Sequence, residues 1–307
     1  MQDATNSNLA ARIEESLAER FGERLPVDPA LAGLDELARI AGHRVHRDFL
    51  DRPVEPALLR LLCVCALSAP SKSDLQQADI LVVDDADQRR ELIALMPDMP
   101  WLDDAPVLLV FLANGARTPA LARRRDKPFP NDHVDLLFNA AVGSAIVLTT
   151  FMRAAAAVGL GCCPLSAVRD HADRGALLRL PERVIPVAGL AAGWPAEAGH
   201  ITPRLGLETT LHQDRYRQGD LEQQIDAYDR RRAARHPYRR QRAVERWGPG
   251  RFLRLVRGQG PAICAAAAHR LRRVPTRQGL PPRLSAARRS RATAAACAAG
   301  RWDDNSA

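Results

Sequence analysis

Two histidines and two arginines stand within five positions of this chain, at His43, Arg44, His46 and Arg47. Positive and hydrogen-bonding side chains at this density typically hold an anion, most often a phosphate group. The alternative is a solvated helix start, whose charges form surface ion pairs of little energetic weight. The first interpretation predicts an anion site at residues 43–47, which we call the arginine–histidine segment.

Three later segments carry residues that suit contacts with a phosphorylated cofactor. Residues 71–73, with the sequence Ser-Lys-Ser, follow a proline in a turn, where small hydroxyls and backbone groups can wrap phosphate or sugar oxygens. Residues 159–161, Gly-Leu-Gly, end a helical stretch, since glycine permits the left-handed turn that stops a helix. Arg204 follows Pro203 and is either a further phosphate contact or a surface arginine after a turn.

No side chain in these segments is a nucleophile or half of a proton-transfer pair. The sequence has no Gly-X-Ser-X-Gly elbow, no Walker loop and no Gly-X-Gly-X-X-Gly fingerprint. Its cysteine and histidine spacings do not match a zinc site. We therefore expect no catalytic side chain and no metal, and these absences fit a protein that binds, orients and tunes a cofactor which itself carries the reaction.

The charge of the chain is divided unevenly along its length. The 307 residues include 44 basic and 36 acidic residues, a net charge of +8. Residues 251–307 hold 12 of the arginines and two of the acids, so residues 1–250 are close to neutral. A nucleic-acid partner is therefore suggested only by this tail, which offers just Phe252 and Trp302 as aromatic platforms. We expect no nucleic-acid partner.

The composition of residues 251–307 favours another explanation. Alanine, arginine, glycine and proline make up 34 of the 57 residues, without an apolar period. One choice of codons for residues 251–261, read one base later, encodes Asp-Phe-Tyr-Gly-Trp-Ser-Glu-Asp-Lys-Ala-Arg. We interpret the tail as the product of a frameshift near residue 250. Residues 1–250 are then the functional domain, and residues 251–307 are a disordered, out-of-frame tail.

We expect a cytoplasmic protein. Residues 1–8 are polar and lack the apolar core of a signal peptide. We find no run of about 18 apolar residues, so we predict no membrane span. Cys63, Cys65, Cys162 and Cys163 are close neighbours inside apolar segments, which is typical of buried, reduced thiols rather than of a disulfide framework.

Apolar periodicity predicts helices at residues 8–22, 31–41, 56–68 and 134–158. Continuous apolar runs predict strands at residues 80–83, 107–112 and 184–190. Strands without a polar face indicate a sheet that is covered on both sides. The helix at 134–158 is apolar almost all round, so it lies at the centre of the fold or of a dimer, and these two placements are compatible.

The four segments together resemble the FMN-dependent nitroreductase family, in the branch of NADPH-using oxygen-insensitive enzymes. They occur in family order over residues 35–250, and Gly193-Trp194-Pro195 precedes the Pro203-Arg204-Leu205 segment. The re-read tail peptide resembles the Trp-Ser…Lys segment near the C-terminus of that branch. The resemblance implies an α+β fold with a central, mainly antiparallel sheet flanked by helices. It also implies an obligate homodimer, with the long helix at the interface and FMN touched by both subunits.

The resemblance further implies which residues contact FMN. His43 and Arg44 match phosphate-side positions, and Arg47 matches a basic residue at the edge of the flavin ring. Val45 stands where the family often has serine, and Asp74 where it often has asparagine. The remaining matches are Ser71, Lys72, Ser73 and Gln76 in the polar loop, Pro164, Leu165 and Ser166 beside the hydride-accepting nitrogen, and Arg204 at the phosphate.

The implied activity is hydride transfer from NADPH or NADH, through FMN, to small electron-poor molecules such as nitroaromatics or quinones, in a ping-pong cycle. Flavin reduction and reductive dehalogenation are alternatives within the same chemistry. The arginines of residues 226–235 are either candidates for the extra phosphate of NADPH or a solvated basic helix face.

Overall fold

The computed structural model describes residues 2–169 and 173–237. The predicted boundary at residue 250 and the tail 251–307 lie outside the described residues. The helices and strands follow in the order α1 (Gln2–Phe21), α2 (Leu34–Ala41), α3 (Pro56–Leu67), β1 (Ala78–Val82), α4 (Ala86–Ala94), β2 (Val107–Asn114), α5 (Arg117–Arg124), α6 (Val134–Ala157), β3 (Gly161–Leu165), α7 (Asp173–Leu177), β4 (Val184–Gly193), α8 (Leu207–Thr210) and α9 (Leu221–Arg235).

The four predicted helices and the three predicted strands are confirmed, although α1 begins earlier than expected. The strands form one sheet in the order β1-β2-β4-β3, and each neighbouring pair is antiparallel. The sheet and the flanking helices make the fold α+β. β3 was not predicted, because its five residues include a glycine and a proline, which are depleted in strands.

The central strand β2 is covered on both faces, as its unbroken apolar run predicts. Its residues alternate between two cores, since successive strand side chains point to opposite faces. Leu108, Val110 and Leu112 face a core that includes residues of α4. Val107, Leu109 and Phe111 face a core built with α3 and α6. The run at residues 80–83 was expected to be buried, but β1 is an edge strand and Val82 is 41% exposed.

Helix α6 lies on the second core with one face and leaves another face open. Ala140, Val147, Phe151 and Ala155 are buried, and the Phe151 ring meets Phe111 edge-on at 6.0 Å. The opposite face exposes a row of apolar side chains one turn apart, which we call the α6 stripe. Its members are Val134, Phe138, Val142 and Ile146.

The sequence predicts no membrane span, but α6 passes the test of length and composition for one. α6 has 24 residues and a stretch of mean hydropathy 1.7, which together satisfy both requirements for a span. The core helix of a globular protein meets the same requirements, and the buried face of α6 packs in that way on the sheet. Packing in the core therefore explains the apolar residues on the buried face of α6. It does not explain the exposed apolar residues of the α6 stripe.

Candidate functional site

The arginine–histidine segment lies against β3 at one corner of the sheet. The backbone N–H of His46 donates to the Cys162 carbonyl at 3.1 Å. The approach is so close that a Cβ at Gly161 would lie 2.7 Å from Cγ of the His46 ring. Glycine is thus required at the start of β3 by packing. Gly159 ends α6 with a φ of 88°, the left-handed conformation that the sequence predicts there.

Arg20, in the last turn of α1, ties this segment to the Pro203–Arg204 turn. It is only 8% exposed. Its guanidinium donates to the carbonyls of Ala41 at 3.1 Å and His43 at 2.6 Å, and to that of Thr202 at 3.4 Å. Its own carbonyl accepts from the Arg204 N–H at 2.6 Å. One buried side chain therefore holds two of the predicted phosphate-binding segments together.

The side chains brought together in this way form a cationic cluster, consisting of Arg20, His43, Arg44 and Arg204. Burial lowers the pKa of Arg20, and the positive charges of Arg204 and Arg44 lower it further. Burial lowers the pKa of His43 too, with added effects from Arg20 and from Arg204. Glu19 counteracts the shift at Arg20, but it is itself paired with Arg235 at 3.2 Å. Positive charge is therefore concentrated where the sequence predicts phosphate.

A buried nitrogen atom at this corner, Nε of Arg44, has no hydrogen-bond partner, whereas the neighbouring His46 ring is held by a hydrogen bond with the Ala198 backbone. Arg44 and His46 line a cavity of 510 Å³ that also reaches Met152 and Ala156 near the end of α6. A guanidinium can only donate hydrogen bonds, so a buried Nε–H without an acceptor is costly. The unused donor on Arg44 and the neighbouring cations both suit a phosphate group, and these residues fit that part of FMN.

Pro164 and Leu165 end β3, the edge strand whose start packs against the arginine–histidine segment, and Ser166 follows them. Leu165 is buried in the core, whereas Pro164 and Ser166 are exposed. Val45 packs on the same core, so its side chain serves the fold. Arg47 lies nearby and is exposed. Its guanidinium hydrogen-bonds the thiol of Cys163 and counteracts the rise that burial causes in the pKa of that thiol.

The cysteines behave as packing residues. Burial raises the pKa of Cys162 to about 12, so its thiol is protonated and unreactive at neutral pH. Cys63, Cys65, Cys162 and Cys163 are free thiols. The expectation that they are buried is confirmed for Cys162 and Cys163 but is wrong for Cys65, which is exposed on α3.

The polar loop at residues 71–76 precedes β1. Ser73 and Gln76 adopt positive φ values of 47° and 50°, which are uncommon for residues other than glycine. The Ser71 hydroxyl accepts from the Gln76 N–H at 2.9 Å, and the Gln76 amide donates to Asp74 at 3.1 Å. Asp74 thus serves the loop itself. These bonds lie within the loop, while its polar side chains at residues 71–74 and 76 stay exposed to solvent.

The polar loop also contacts residues of α5 and α6. Arg117 of α5 donates to the Gln76 carbonyl. Lys72 lies 3.9 Å from Asp135 at the start of α6, and both side chains are exposed, so this ion pair contributes little. The loop therefore lies beside the N-terminal end of the α6 stripe.

The predicted site residues fall into two groups at diagonally opposite corners of the sheet. The β3 corner holds His43, Arg44, Val45, Arg47, Pro164, Leu165, Ser166 and Arg204, and the β1 corner holds Ser71, Lys72, Ser73 and Gln76. β1 and β3 are the two edges of a four-stranded sheet, about 14 Å apart at ordinary strand spacing. Along α6, Asp135 marks one corner and Ala156 the other, roughly 30 Å apart. One chain does not bring the two groups together.

Helix α9 supports the β3 corner from outside. Arg231 donates to the Arg204 carbonyl at 2.8 Å, so one arginine of the basic 226–235 stretch has a structural role. Arg235 pairs with Glu19 of α1, and the His236 ring lies 4.0 Å from that of His200. Burial lowers the pKa of His200, and the nearby His236, Arg232 and Arg47 lower it further.

Sequence reasoning missed Arg20 as a residue of this corner, and it assigned no contact of its own to His46, although His46 belongs to the arginine–histidine segment. Arg20 had a readable signal, because it follows Ile13 and Leu17 at helical spacing and so places a charge on the apolar face of α1. The role of His46 depends on how closely its segment approaches β3, which no local pattern shows. Within residues 2–169 and 173–237, no group of three or more His, Cys, Asp or Glu side chains could hold a metal ion.

Comparisons with known proteins agree with this geometry. A profile described as the Nitroreductase family matches residues 40–194. The FMN reductase (NAD(P)H) of Bacillus subtilis is 35% identical over 194 residues, which cover 62% of this chain and 78% of that protein. The oxygen-insensitive NADPH nitroreductase of Salmonella typhimurium is 30% identical over 194 residues, with the same coverage of both chains. The structure of Bacillus megaterium NfrA2 superposes with a TM-score of 0.62 at 31% identity, covering 65% of this chain and 82% of that one.

Proposed function

Since this chain belongs to the nitroreductase family, we propose that it is an FMN-dependent oxidoreductase that transfers hydride from NAD(P)H to small electron-poor acceptors. Nitroaromatics and quinones are the acceptor classes that we expect. The observation that carries the proposal is the β3 corner. There the cationic cluster has an unpartnered buried donor on Arg44, and Arg47 of the same segment contacts Cys163, next to the exposed Pro164.

FMN, when bound, would accept a hydride from the nicotinamide and pass it to the second substrate in a separate half-reaction, which is a ping-pong cycle. The residues of this chain bind and tune that group. The cationic cluster neutralises its phosphate, and Arg47 supplies a positive charge at the ring edge, which favours the reduced, anionic flavin. The proposed contacts are His43, Arg44, Val45, Arg47, Ser71, Lys72, Ser73, Gln76, Pro164, Leu165, Ser166 and Arg204.

The split between the two corners supports a homodimer. A polar loop that lies roughly 30 Å from the cationic cluster of its own chain contributes to the same cofactor only if it comes from another copy. The α6 stripe offers the surface for that copy. Phe138 is 66% exposed and Val134 61% exposed, on a helix whose other face is core. Apolar side chains in such a row mark an interface.

Two-fold symmetry then joins the corners. A symmetric dimer uses the same surface patch on both copies. If two α6 helices pack antiparallel through their stripes, the N-terminal end of each lies near the C-terminal end of the other. The polar loop sits at the first end, beside Asp135, and the cavity with His43 and Arg44 reaches Ala156 at the other. Each interface would therefore complete two cofactor sites.

The same proposal extends to the cosubstrate and to the location of the protein. The relatives named above are NAD(P)H or NADPH enzymes by name, and the exposed Arg230 of α9 lies next to the Arg204 side of the corner, where Arg231 is already bonded. We assign NADPH, or else NADH, as the hydride source, and a cytoplasmic location where that cosubstrate is available. Neither nucleic acid nor a membrane is a partner in this proposal.

The test is an absorption spectrum of the purified protein with and without NADPH. We expect a yellow protein with one non-covalent FMN per subunit, which bleaches with NADPH in the absence of oxygen. The yellow colour should return when a nitroaromatic or a quinone is added. A colourless protein that takes up no added FMN would refute the proposal.

Free flavin is the alternative acceptor, because the Bacillus subtilis relative named above is called an FMN reductase. Turnover of excess FMN and of a nitroaromatic, measured at equal NADPH concentration, separates the two activities. A value of kcat/KM that is higher for the flavin would reassign the physiological acceptor and leave the bound cofactor unchanged.

A further inference from the structure

We infer that Arg20 is a positioning residue for the phosphate side of the cofactor site, although it contacts the site only through other residues. The inference rests on the proposed function. The family profile begins at residue 40, so Arg20 and the whole of α1 lie outside the matched range. The family comparison therefore assigns nothing to this side chain.

The Arg20 side chain donates hydrogen bonds to backbone carbonyls in or next to the predicted phosphate-binding segments. Its Nη2 donates to the Ala41 and His43 carbonyls, and its Nη1 donates to the Thr202 carbonyl. A planar guanidinium holds several acceptors in fixed directions, which an ammonium group cannot do. The Arg204 N–H donates back to the Arg20 carbonyl at 2.6 Å. His43 and Arg204 are thus fixed relative to each other from behind.

Burial makes this arrangement difficult to replace. The Arg20 side chain is 8% exposed, and burial lowers its pKa, as do the positive charges of Arg204 and Arg44. Such a cation is retained only where its hydrogen bonds are made, because an unpaired buried charge is costly. The carbonyls at the end of α2 also need donors, and Arg20 supplies one to Ala41, the last residue of that helix. A residue that served α1 alone would not reach across to residue 202.

Arg20 should affect the binding of the FMN phosphate and not the binding of the flavin ring. Arg20 orders the backbone that carries His43, Arg44 and Arg204, and it has no contact with the strand end at residues 164–166. Replacement of Arg20 should therefore weaken the contacts with the phosphate and leave the contacts with the flavin ring unchanged. FMN and riboflavin differ only in that phosphate, so the ratio of their affinities reports on the role of Arg20.

The experiment measures the Kd of FMN and of riboflavin by flavin fluorescence, for the full chain and for Arg20→Met, Arg20→Lys and Arg24→Met. Arg24 follows the same helix, is exposed and makes only a long ion pair to Glu14 at 3.9 Å, so it is the matched control. Arg20→Met should bind FMN about tenfold more weakly, the order expected for lost bonds to a charged donor. Its riboflavin affinity and the reduction potential of its bound FMN should stay unchanged. The FMN affinity of Arg20→Lys should lie between those of the parent chain and Arg20→Met. The FMN affinity of Arg24→Met should equal that of the parent chain.

Equal weakening of both flavins, or of neither, would show that Arg20 acts on general stability alone and would overturn the inference. If Arg20→Met does not fold, the FMN-to-riboflavin ratio of Arg20→Lys decides, and an unchanged ratio overturns it as well. A parent chain that binds neither flavin refutes the proposed function itself. A parent chain that binds FMN while the variants show no selectivity refutes only the role of Arg20.

Discussion

The two corners of the sheet are prepared for a cofactor to different degrees. At the β3 corner, α1, α9 and β3 all contact the segments that carry the positive side chains, through Arg20, Arg231 and Cys162. At the β1 corner, the polar loop is closed by Ser71 and Gln76 of its own turn and touched from outside by Arg117 and Asp135. Contacts within one chain therefore hold the β3 corner in place. The β1 corner lies next to the exposed α6 stripe.

This difference teaches how a fold can divide one binding site. Contacts with phosphate need several fixed cations, and one chain can fix them because long-range hydrogen bonds anchor each segment. The polar loop lies beside the α6 stripe, so dimer formation through that stripe can bring it to the cofactor site of the other copy. Binding and assembly should then depend on each other at the β1 corner and be separable at the β3 corner.

The largest expected effect comes from the surface that joins the corners. Phe138→Glu places a charge in the middle of the α6 stripe, where the parent side chain is 66% exposed and outside the core. We expect a folded monomer by size-exclusion chromatography with light scattering. Its FMN affinity should fall at least about a hundredfold, because two or more polar contacts from the other copy are lost.

Leu121→Glu is the control for this variant, since Leu121 is 54% exposed on α5 and is not a member of the α6 stripe. It should stay dimeric and keep its FMN. A Phe138→Glu protein that remains dimeric, or a monomer with the parent affinity, would contradict the division of the site between two copies.

The next effect tests the β3 corner alone. Arg204→Ala removes one exposed guanidinium while keeping the backbone bonds of that residue to Arg20 and Arg231. FMN binding should weaken by about 1.5–3 kcal/mol, the range for a charge-assisted contact, with the dimer intact. Isothermal titration measures the loss, and Arg90→Ala on α4, an exposed arginine paired only within its helix, is the control. An unchanged affinity would remove Arg204 from the site.

Arg47→Ala should act on the ring side of the same corner. Loss of the positive charge destabilises the anionic reduced flavin, so the reduction potential of bound FMN should fall by about 30 mV, equivalent to about 1.4 kcal/mol for a two-electron couple. FMN affinity should change less than in Arg204→Ala. A potential equal to that of the parent protein, measured by dye equilibration, would place Arg47 away from the ring.

The smallest effect is a pH dependence confined to the β3 corner. Burial and nearby cations lower the pKa of His43 below its ordinary 6.5. The unfolded chain then binds more protons than the folded one, so the stability of the FMN-free protein should fall as the pH drops through 6.5 towards the folded pKa. Below the folded pKa the loss should level off.

Urea unfolding midpoints at several pH values measure this loss. His43→Gln should reduce it without abolishing it, because His46 and His200 shift in the same direction. Saturating FMN should also reduce it, since a phosphate beside His43 favours the protonated ring. A parent protein whose midpoint does not change between neutral and mildly acidic pH would contradict the desolvation of His43.

Much of the architecture follows from sequence pattern alone. The strands at 107–112 and 184–190 and the helix at 134–158 are long apolar runs, and burial of such runs leaves few alternatives. The segments around Arg44, Ser71, Gly159 and Arg204 carried the family resemblance, because their residue types are those that phosphate and sharp turns require. β3 was missed since its Gly and Pro hide a strand that depends on pairing with β4.

The sequence by itself determined which elements form and which residues suit an anion. Both depend on local spacing and side-chain chemistry, which can be read along the chain. Only the tertiary structure decided that Arg20 joins residues 43 and 202, that the α6 stripe is open, and that the polar loop lies across the sheet from the cationic cluster. These are long-range contacts, and they depend on strand order and helix packing, which no local pattern specifies.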